Sequence, residues 1–598
     1  MRKKINMKQT IITILLVLVA MAGQGQDTIL WERPAIGYSN ISYFEVQKVE
    51  LTKERTAMHV CVSLMPGYKF HIKKESFLQT NGKQYEIIGS DGITLDGNYI
   101  TLDDTGMKNF VLYFKPMPMD TKEFDFIEGM AGNDYRVYSI HDKDYVMPIT
   151  PVPAEYLADN AEEEQPIEQK YSEGHVTIYF KALNYRKGMR TKITLQYIDL
   201  KNPTRPTDTK IRLNDDGEAE VILPISIPQH VSAEITNVHT VSSCNLFLVP
   251  GKEATLILDM LHNDTEGNGK FVGYKGCSAK LFWEYRPAMR NFLKGTEYNW
   301  QKMSECKDVT SLINFMKGRK SYREEWKRTA SYSETVKAEI LTCFNMPLIF
   351  TDSVLDSLKQ TDAFTDYVIR NHSKDVLSSM RYFDYDFVYT SRFYALDKDA
   401  RGFNADLARY CYYLPKVLDG QDVTKPLIED PTLSALYDKY AAEYRKTVAA
   451  NKEGLPDNAH YLDMTDIVPD SILQTILDKY KGKTILIDIW ATWCGPCKLG
   501  HEKMKPLKEE LSDKDIVYVY LTSTTSKYDE WKKYITDISG EHYYLTQEQM
   551  NTVFKQLQAD GYPTYAIYTS NGNKVTSFSG FRSIEDIREA FGKAFNNK

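Results

Sequence analysis

Cysteine is scarce in this chain. Eight among 598 residues cannot make the dense disulfide scaffold on which small secreted domains rely. Six of them, Cys61, Cys244, Cys277, Cys306, Cys343 and Cys411, stand at spacings that form no framework, and each reads as a small buried hydrophobe. Only Cys494 and Cys497 are close, and no second Cys-x-x-Cys accompanies them. A four-ligand zinc site therefore lacks its ligands, and no metal is expected. Positive charge is not in excess either: the formal net charge is −7, which offers no basic field for a phosphate backbone and excludes nucleic acid as an expected partner. Missing too is any apolar run of the roughly 20 residues that a bilayer-spanning helix requires.

The longest apolar run extends from Ile11 to about Gly23, behind Arg2, Lys3 and Lys4 and ahead of small residues. It reads as a secretory signal over 1–25, with an uncleaved membrane anchor as the alternative. No cysteine follows the run, which disfavours a lipid anchor, and cleavage between Ala22 and Gln26 would deliver the chain to the periplasm. Ordinary apolar and charged contents of 42% and 26% allow packed cores, and a chain this long divides into several domains. Short alternating stretches such as TAMHVCVSL and MKNFVLYF, punctuated by Pro66-Gly67, Asn81-Gly82 and Asp91-Gly92, predict a β-sandwich domain over 26–156. The acidic, proline-flanked LADNAEEEQP reads as part of a linker over 157–170.

A second β-domain, also sandwich-like, is expected over 171–265, from GHVTIYFKAL, KITLQYIDL, EAEVILPI and KEATLILDM. Longer helix-period segments then mark a helical region over 266–454. Its aromatic stretch RYFDYDFVYTSRFYAL, Arg381 to Leu396, reads as core packing, with a client groove as the less favoured alternative. From 455 to 598 strand and helix candidates alternate. TILIDIW, DIVYVYLTS, HYYLT, PTYAIYT and NKVTSFS are the strands, and Asp470 is the expected N-cap of a helix over DSILQTILDKYKGK. The pattern predicts an α/β domain with helices on both sides of one sheet.

The close cysteine pair lies where TILIDIW passes into a helix. Pro496 suits a first helical turn, whose N–H has no intrahelical partner to lose. Cys494 thus sits at the helix N-terminus, where free N–H groups and the dipole stabilise a thiolate, while Cys497 lies one turn in. Several chemistries compete at these residues. Haem attachment asks for a histidine where Lys498 stands. His501 shares a helix face with Cys497 and reads as a solvated or core histidine rather than a ligand. A permanently inert disulfide is the remaining alternative to a pair of exchanging thiols.

With WCGPCK behind an acid-bearing strand, the segment from about Leu455 to Lys598 resembles the thioredoxin superfamily. Together with the signal-like start it resembles the secreted TlpA/ResA-like thiol-disulfide oxidoreductases. The resemblance implies that Cys494 attacks a client disulfide and Cys497 resolves the mixed disulfide. Asp488 would match the family's buried carboxylate that relays a proton to and from the second cysteine. GYPTY, Gly561 to Tyr565, resembles the family's cis-proline loop, in which Pro563 leaves the Tyr562 backbone free to hold a client as an added strand. Trp493 would shield the thiols, Gly495 and Pro496 would shape the turn, and Gly580 would admit a client backbone. An extra helix and strand, KYDEWKKYITDI and HYYLT, fit the TlpA/ResA-like branch, although KLGHEKMKPL departs from the acid and Met-Pro pair common after its motif. A peroxiredoxin pattern is absent, since Ile487 and Ala491 occupy the positions of its proline and threonine.

Acidity alone contributes little to the rate. Lowering a thiol pKa from about 8.5 to about 7 raises the thiolate fraction at pH 7 roughly sixteen-fold, and reduced nucleophilicity removes a factor of about four to six. Most of the rate must come from holding the client sulfur in line with Cys494. The expectation is a periplasmic protein that reduces client disulfides, with oxidation or isomerisation as the other directions. It carries no cofactor, and a membrane thiol donor recharges it. The alternative is an envelope binding protein that keeps a thioredoxin-like fold as a scaffold.

Overall fold

The structure, a computed structural model, describes residues 28–596 apart from 96, 133, 162–166, 190, 204–205, 237–240, 264–267, 295–299, 346–352, 422 and 466. The signal-like start and most of the acidic run expected as linker lie outside the described residues. The chain divides into two compact units. One comprises Met1–Asp199, Arg205–Phe364 and Ser379–Asp386, and the other Leu200–Thr204, Thr365–Ser378 and Phe387–Lys598. No helix among the described residues is long and apolar enough to cross a membrane.

The first unit opens with a nine-stranded sheet. TAMHVCVS and MKNFVLYF form adjacent antiparallel strands, Thr56–Ser63 and Met107–Phe114. Asn81 and Gly82, both at positive φ (48° and 73°), turn Phe77–Thr80 back into Lys83–Asp91, because only such residues adopt this hairpin twist without cost. Phe44 stacks on Phe126 at 5.3 Å and Trp31 on Phe124 at 5.6 Å, so strands remote in the sheet order share one core. Two four-stranded sheets follow, and Ile178, Leu195, Val231 and Leu256 bury themselves in a core common to both. Helices Ala279–Lys294, Val309–Thr329 and Glu334–Asn345 are the longer helices of this unit.

The second unit contains helices α1 (Phe403–Leu418) and α2 (Pro431–Lys452), then an α/β domain. Its strands are β1 (Ala459–Tyr461), β2 (Thr484–Ile489), β3 (Ile516–Ser523), β4 (Glu541–Leu545), β5 (Thr564–Tyr568) and β6 (Lys574–Ser579). They order β1-β4-β3-β2-β5-β6. The β1–β4, β4–β3 and β3–β2 pairings are parallel, and β5 and β6 run antiparallel. Helices α3 (Ile472–Lys479), α4 (Gly495–Glu510), α5 (Tyr528–Ile535), α6 (Gln547–Leu557) and α7 (Ile584–Asn596) alternate with the strands. The aromatic stretch is core, as its composition suggests: Phe387, Phe393 and Tyr394 are buried. Asp470 is not the cap of α3. Pro469–Ser471 forms a 3-10 turn that runs into the helix, so Ser471 takes the N-cap position and Asp470 lies inside the turn.

Strand β2 explains why the site stands where it does. All six of its residues are buried, since it is central in the sheet and covered on both faces. Ile485, Ile487 and Ile489 enter one core with α3 and α6, whereas Leu486 packs with Met504 of α4 and Phe591 of α7. Strand alternation puts Asp488 on the side of Leu486, beneath α4.

Candidate active site

Helix α4 begins at the cysteine pair. Cys494 is its N-cap in extended backbone, with the Cys497 N–H 3.1 Å from the Cys494 sulfur and Pro496 in the first turn. Cys494 and Cys497 are joined as a disulfide, with Cα atoms 5.3 Å apart, and both are buried. The preceding loop is tied down by Ser526, whose Oγ accepts from the Thr492 N–H at 3.0 Å and lies 2.7 Å from Thr522 Oγ1.

Trp493, by contrast, is 59% exposed. Its ring meets the Tyr562 ring edge-on at 5.2 Å, which brings the GYPTY loop beside the cysteine turn. The Tyr562–Pro563 peptide bond is cis. The Pro563 carbonyl accepts the Gly580 N–H at 2.7 Å. Gly580 has φ +81°, which a glycine adopts without strain, so its observed contact is with the proline loop.

Beneath α4 lie several buried polar side chains. The Asp488 and His501 side chains are each 2% exposed, and His501 Nε2 stands 3.1 Å from Asp488 Oδ2. The ring does not point a hydrogen bond at that oxygen, and Asp488 Oδ1, His501 Nδ1 and the Tyr565 hydroxyl also have no partner. Tyr520 and Tyr565 flank Asp488 in register from β3 and β5. Burial, with Asp488 nearby, pushes both phenols well above their usual range. Lys508 of α4 is lowered to about 8 by burial, an effect Asp488 opposes. It also lies 4.4 Å from the Tyr518 ring. His542 of β4 stacks on Tyr520 at 5.0 Å and is lowered to about 4 chiefly by burial.

Cys494, Cys497, Trp493, Gly495 and Pro496 thus share one turn. Asp488 lies under the helix that this turn begins, while Tyr562, Pro563 and Gly580 form the adjoining loop. Among the six other cysteines, Cys61, Cys244, Cys306 and Cys411 are buried, and none of the six forms a disulfide among the described residues. Sequence reasoning did not assign His501 to the site. The signal was its position four residues after Cys497, one helical turn along the same face.

Residues 458–590 match the Redoxin family model. The thioredoxin-like protein YneN of Bacillus subtilis is 40% identical over 62 residues, which are 9% of this chain and 36% of that protein. A thioredoxin of Pongo abelii is 27% identical over 107 residues, 18% of this chain and 76% of that one. The chain spans only 17% and 18% of the length of the protein disulfide-isomerases it matches in Zea mays and Hordeum vulgare. Among solved structures, a thiol:disulfide interchange protein of Chlorobium tepidum is 21% identical. The match covers 20% of this chain and 83% of that one, with a TM-score of 0.18. The region from 458 to 590, which matches the Redoxin family model, is a thioredoxin-like domain carried behind a large amino-terminal extension.

Proposed function

We propose that the protein is a periplasmic thiol-disulfide oxidoreductase that reduces disulfides in client proteins. The observation that carries this reading is the Cys494–Cys497 disulfide at the N-terminus of α4, beside an exposed Trp493 and above a buried carboxylate. The reduced pair presents Cys494 at the helix start, where the dipole favours its thiolate. That thiolate attacks a client sulfur, and one client sulfur leaves as a thiolate. Cys497 gives up its proton with the help of Asp488 and attacks Cys494, which restores the Cys494–Cys497 bond and frees the second client sulfur. Two electrons pass to the client, and a membrane thiol donor returns them. Trp493, Gly495, Pro496, Tyr562, Pro563 and Gly580 form the client-facing surface, where an extended segment pairs with the Tyr562 backbone.

The upstream β-regions over 26–156 and 171–265 are sandwich-like modules, 157–170 links them, and the helical region over 266–454 leads into the redox domain. A second reading, an envelope binding protein, is favoured by one observation. A cavity of about 580 Å³ in the first unit is lined by His230, Asn245, Tyr285, Arg286, Met289 and Cys343 among others. Insulin reduction by the full-length protein, beside Cys494→Ser and Cys497→Ser, separates the two. The oxidoreductase reading expects activity in the native protein and its loss in both variants. Equal rates in all three would leave only the binding reading.

A further inference from the structure

We propose that His501 is a positioning residue for the resolving step: it shares one proton with Asp488, and through that carboxylate sets the rate at which the Cys497 thiol is deprotonated. The inference rests on the oxidoreductase reading and adds a residue to it. Three geometric observations support it.

The first is placement. His501 follows Cys497 by one turn on α4, so both side chains descend on the face that covers β2. From that strand Asp488 rises to within 3.1 Å of the imidazole. The second is that the imidazole and carboxylate have few competing bonds. Both His501 ring nitrogens and Asp488 Oδ1 lack hydrogen-bond partners although nine-tenths or more buried. A histidine kept only to fill the core would be expected to spend a nitrogen on a backbone carbonyl, as His542 does toward Ile538 at 2.8 Å. The third is the cage. Trp490 at 5.1 Å, Tyr520 at 5.3 Å and Tyr534 at 5.9 Å surround the ring, limiting it to small rotations about its present orientation. Such a rotation is what would bring Nε2, already 3.1 Å from Asp488 Oδ2, into line to take and return a proton there.

Other groups around the pair are Tyr520 from β3, His542 from β4, Tyr565 from β5, Tyr534 from α5 and Lys508 from α4 itself. From α7, Arg588 is engaged with Glu510 at 2.8 Å near the surface. The phenols hold their protons throughout the neutral range, since burial raises each of them. His542 is already neutral there. Lys508, which burial lowers to about 8, titrates on the alkaline side, and His501 and Asp488, 3.1 Å apart, are the pair placed to exchange a proton as Cys497 reacts. In the balanced step, the Cys497 S–H loses its proton to Asp488, which passes it to His501. The Cys497 sulfur bonds to the Cys494 sulfur as the Cys494–client bond breaks, and the client thiolate takes a proton from solvent. The imidazolium releases its own proton to solvent before the next turnover.

The test follows a single turnover of the reduced full-length protein with a disulfide-bonded synthetic peptide. Acid quench and mass spectrometry report formation and decay of the mixed disulfide between pH 5.5 and 9. For the native protein, decay should rise along an acid limb within that interval. In His501→Gln that limb should vanish. Decay should then be about tenfold slower at pH 6.5, a modest share of what a positioned base contributes, and should converge with the native rate near pH 9. Formation of the mixed disulfide, which belongs to Cys494, should change less than about threefold. An unchanged decay profile in a His501→Gln protein with a native melting curve would overturn the proposal. If that variant fails to fold, the native protein alone decides, because a decay profile with one ionisation near pH 9 would equally overturn it. No mixed disulfide in the native protein would instead remove the oxidoreductase reading itself, and this inference with it.

Discussion

At the residue scale the site is organised by what each side chain does once it is removed from water. Cys494 and Cys497 were legible because a two-residue spacing before a helix has few chemical uses. Asp488 was legible because a carboxylate inside ILIDIW is costly to bury without one. His501 was not, since its partner arrives from a strand on the other side of the cysteine turn, and a single sequence does not display that approach. The same burial gives His542 a measurable signature. Its folded-state pKa near 4 lies below the ordinary value near 6.5. The unfolded chain therefore binds the proton first as pH falls, and the stability held by neutral His542 above pH 6.5 is lost as pH drops toward 4. Between pH 7 and pH 5 this one group should take away about 2 kcal/mol. Amide exchange in β3 and β4, compared between the native protein and His542→Gln, checks this. The native protein should lose protection more steeply over that interval, and equal slopes would refute it.

At the element scale, legibility followed pattern strength. In the α/β domain every strand and helix expected from TILIDIW onward is present, because buried strands of Ile and Val alternate with helices carrying one apolar face. The helix Val309–Thr329 falls within the helical region expected over 266–454, although Arg319 and Arg323 on its covered face break its apolar stripe. The strands Gln229–Thr236 and Val241–Leu248 went unread, although Val231, Ala233 and Ile235 alternate with polar residues as a half-buried strand does. The contact of α4 with β5 depends on a missing side chain. A Cβ at Gly500 would stand 2.5 Å from the Tyr565 hydroxyl and 3.0 Å from Phe581 Cδ2. In an open helix Gly→Ala would gain about 1 kcal/mol. Here the overpacking cost of about 1–3 kcal/mol outweighs that gain, because the rigid ring of Tyr565 is fully buried. Gly500→Ala should accordingly melt below the native protein in calorimetry, and a raised midpoint would contradict the packing.

At the scale of the whole molecule, a redox pair occupies one end of a chain otherwise devoted to β-sheets and helices. The family match covers 458–590, and the upstream regions were readable only as classes of structure. Their sheets are assembled from strands distant in sequence: Val176–Leu183 pairs in parallel with Glu253–Asp259, a crossover that local alternation does not encode. The eight cysteines divide in the same way, with six thiols outside the redox domain and one disulfide within it. Equilibrating the full-length protein in glutathione buffers from oxidising to reducing, then trapping thiols with a mass tag, tests the account most directly. Against the constant label on the six other thiols, we predict that two further tags, mapping to Cys494 and Cys497, appear together in one two-electron transition at a potential below about −180 mV, the range of reducing rather than strongly oxidising dithiols. A pair that keeps its bond across every buffer, or that opens only above that potential, would contradict it.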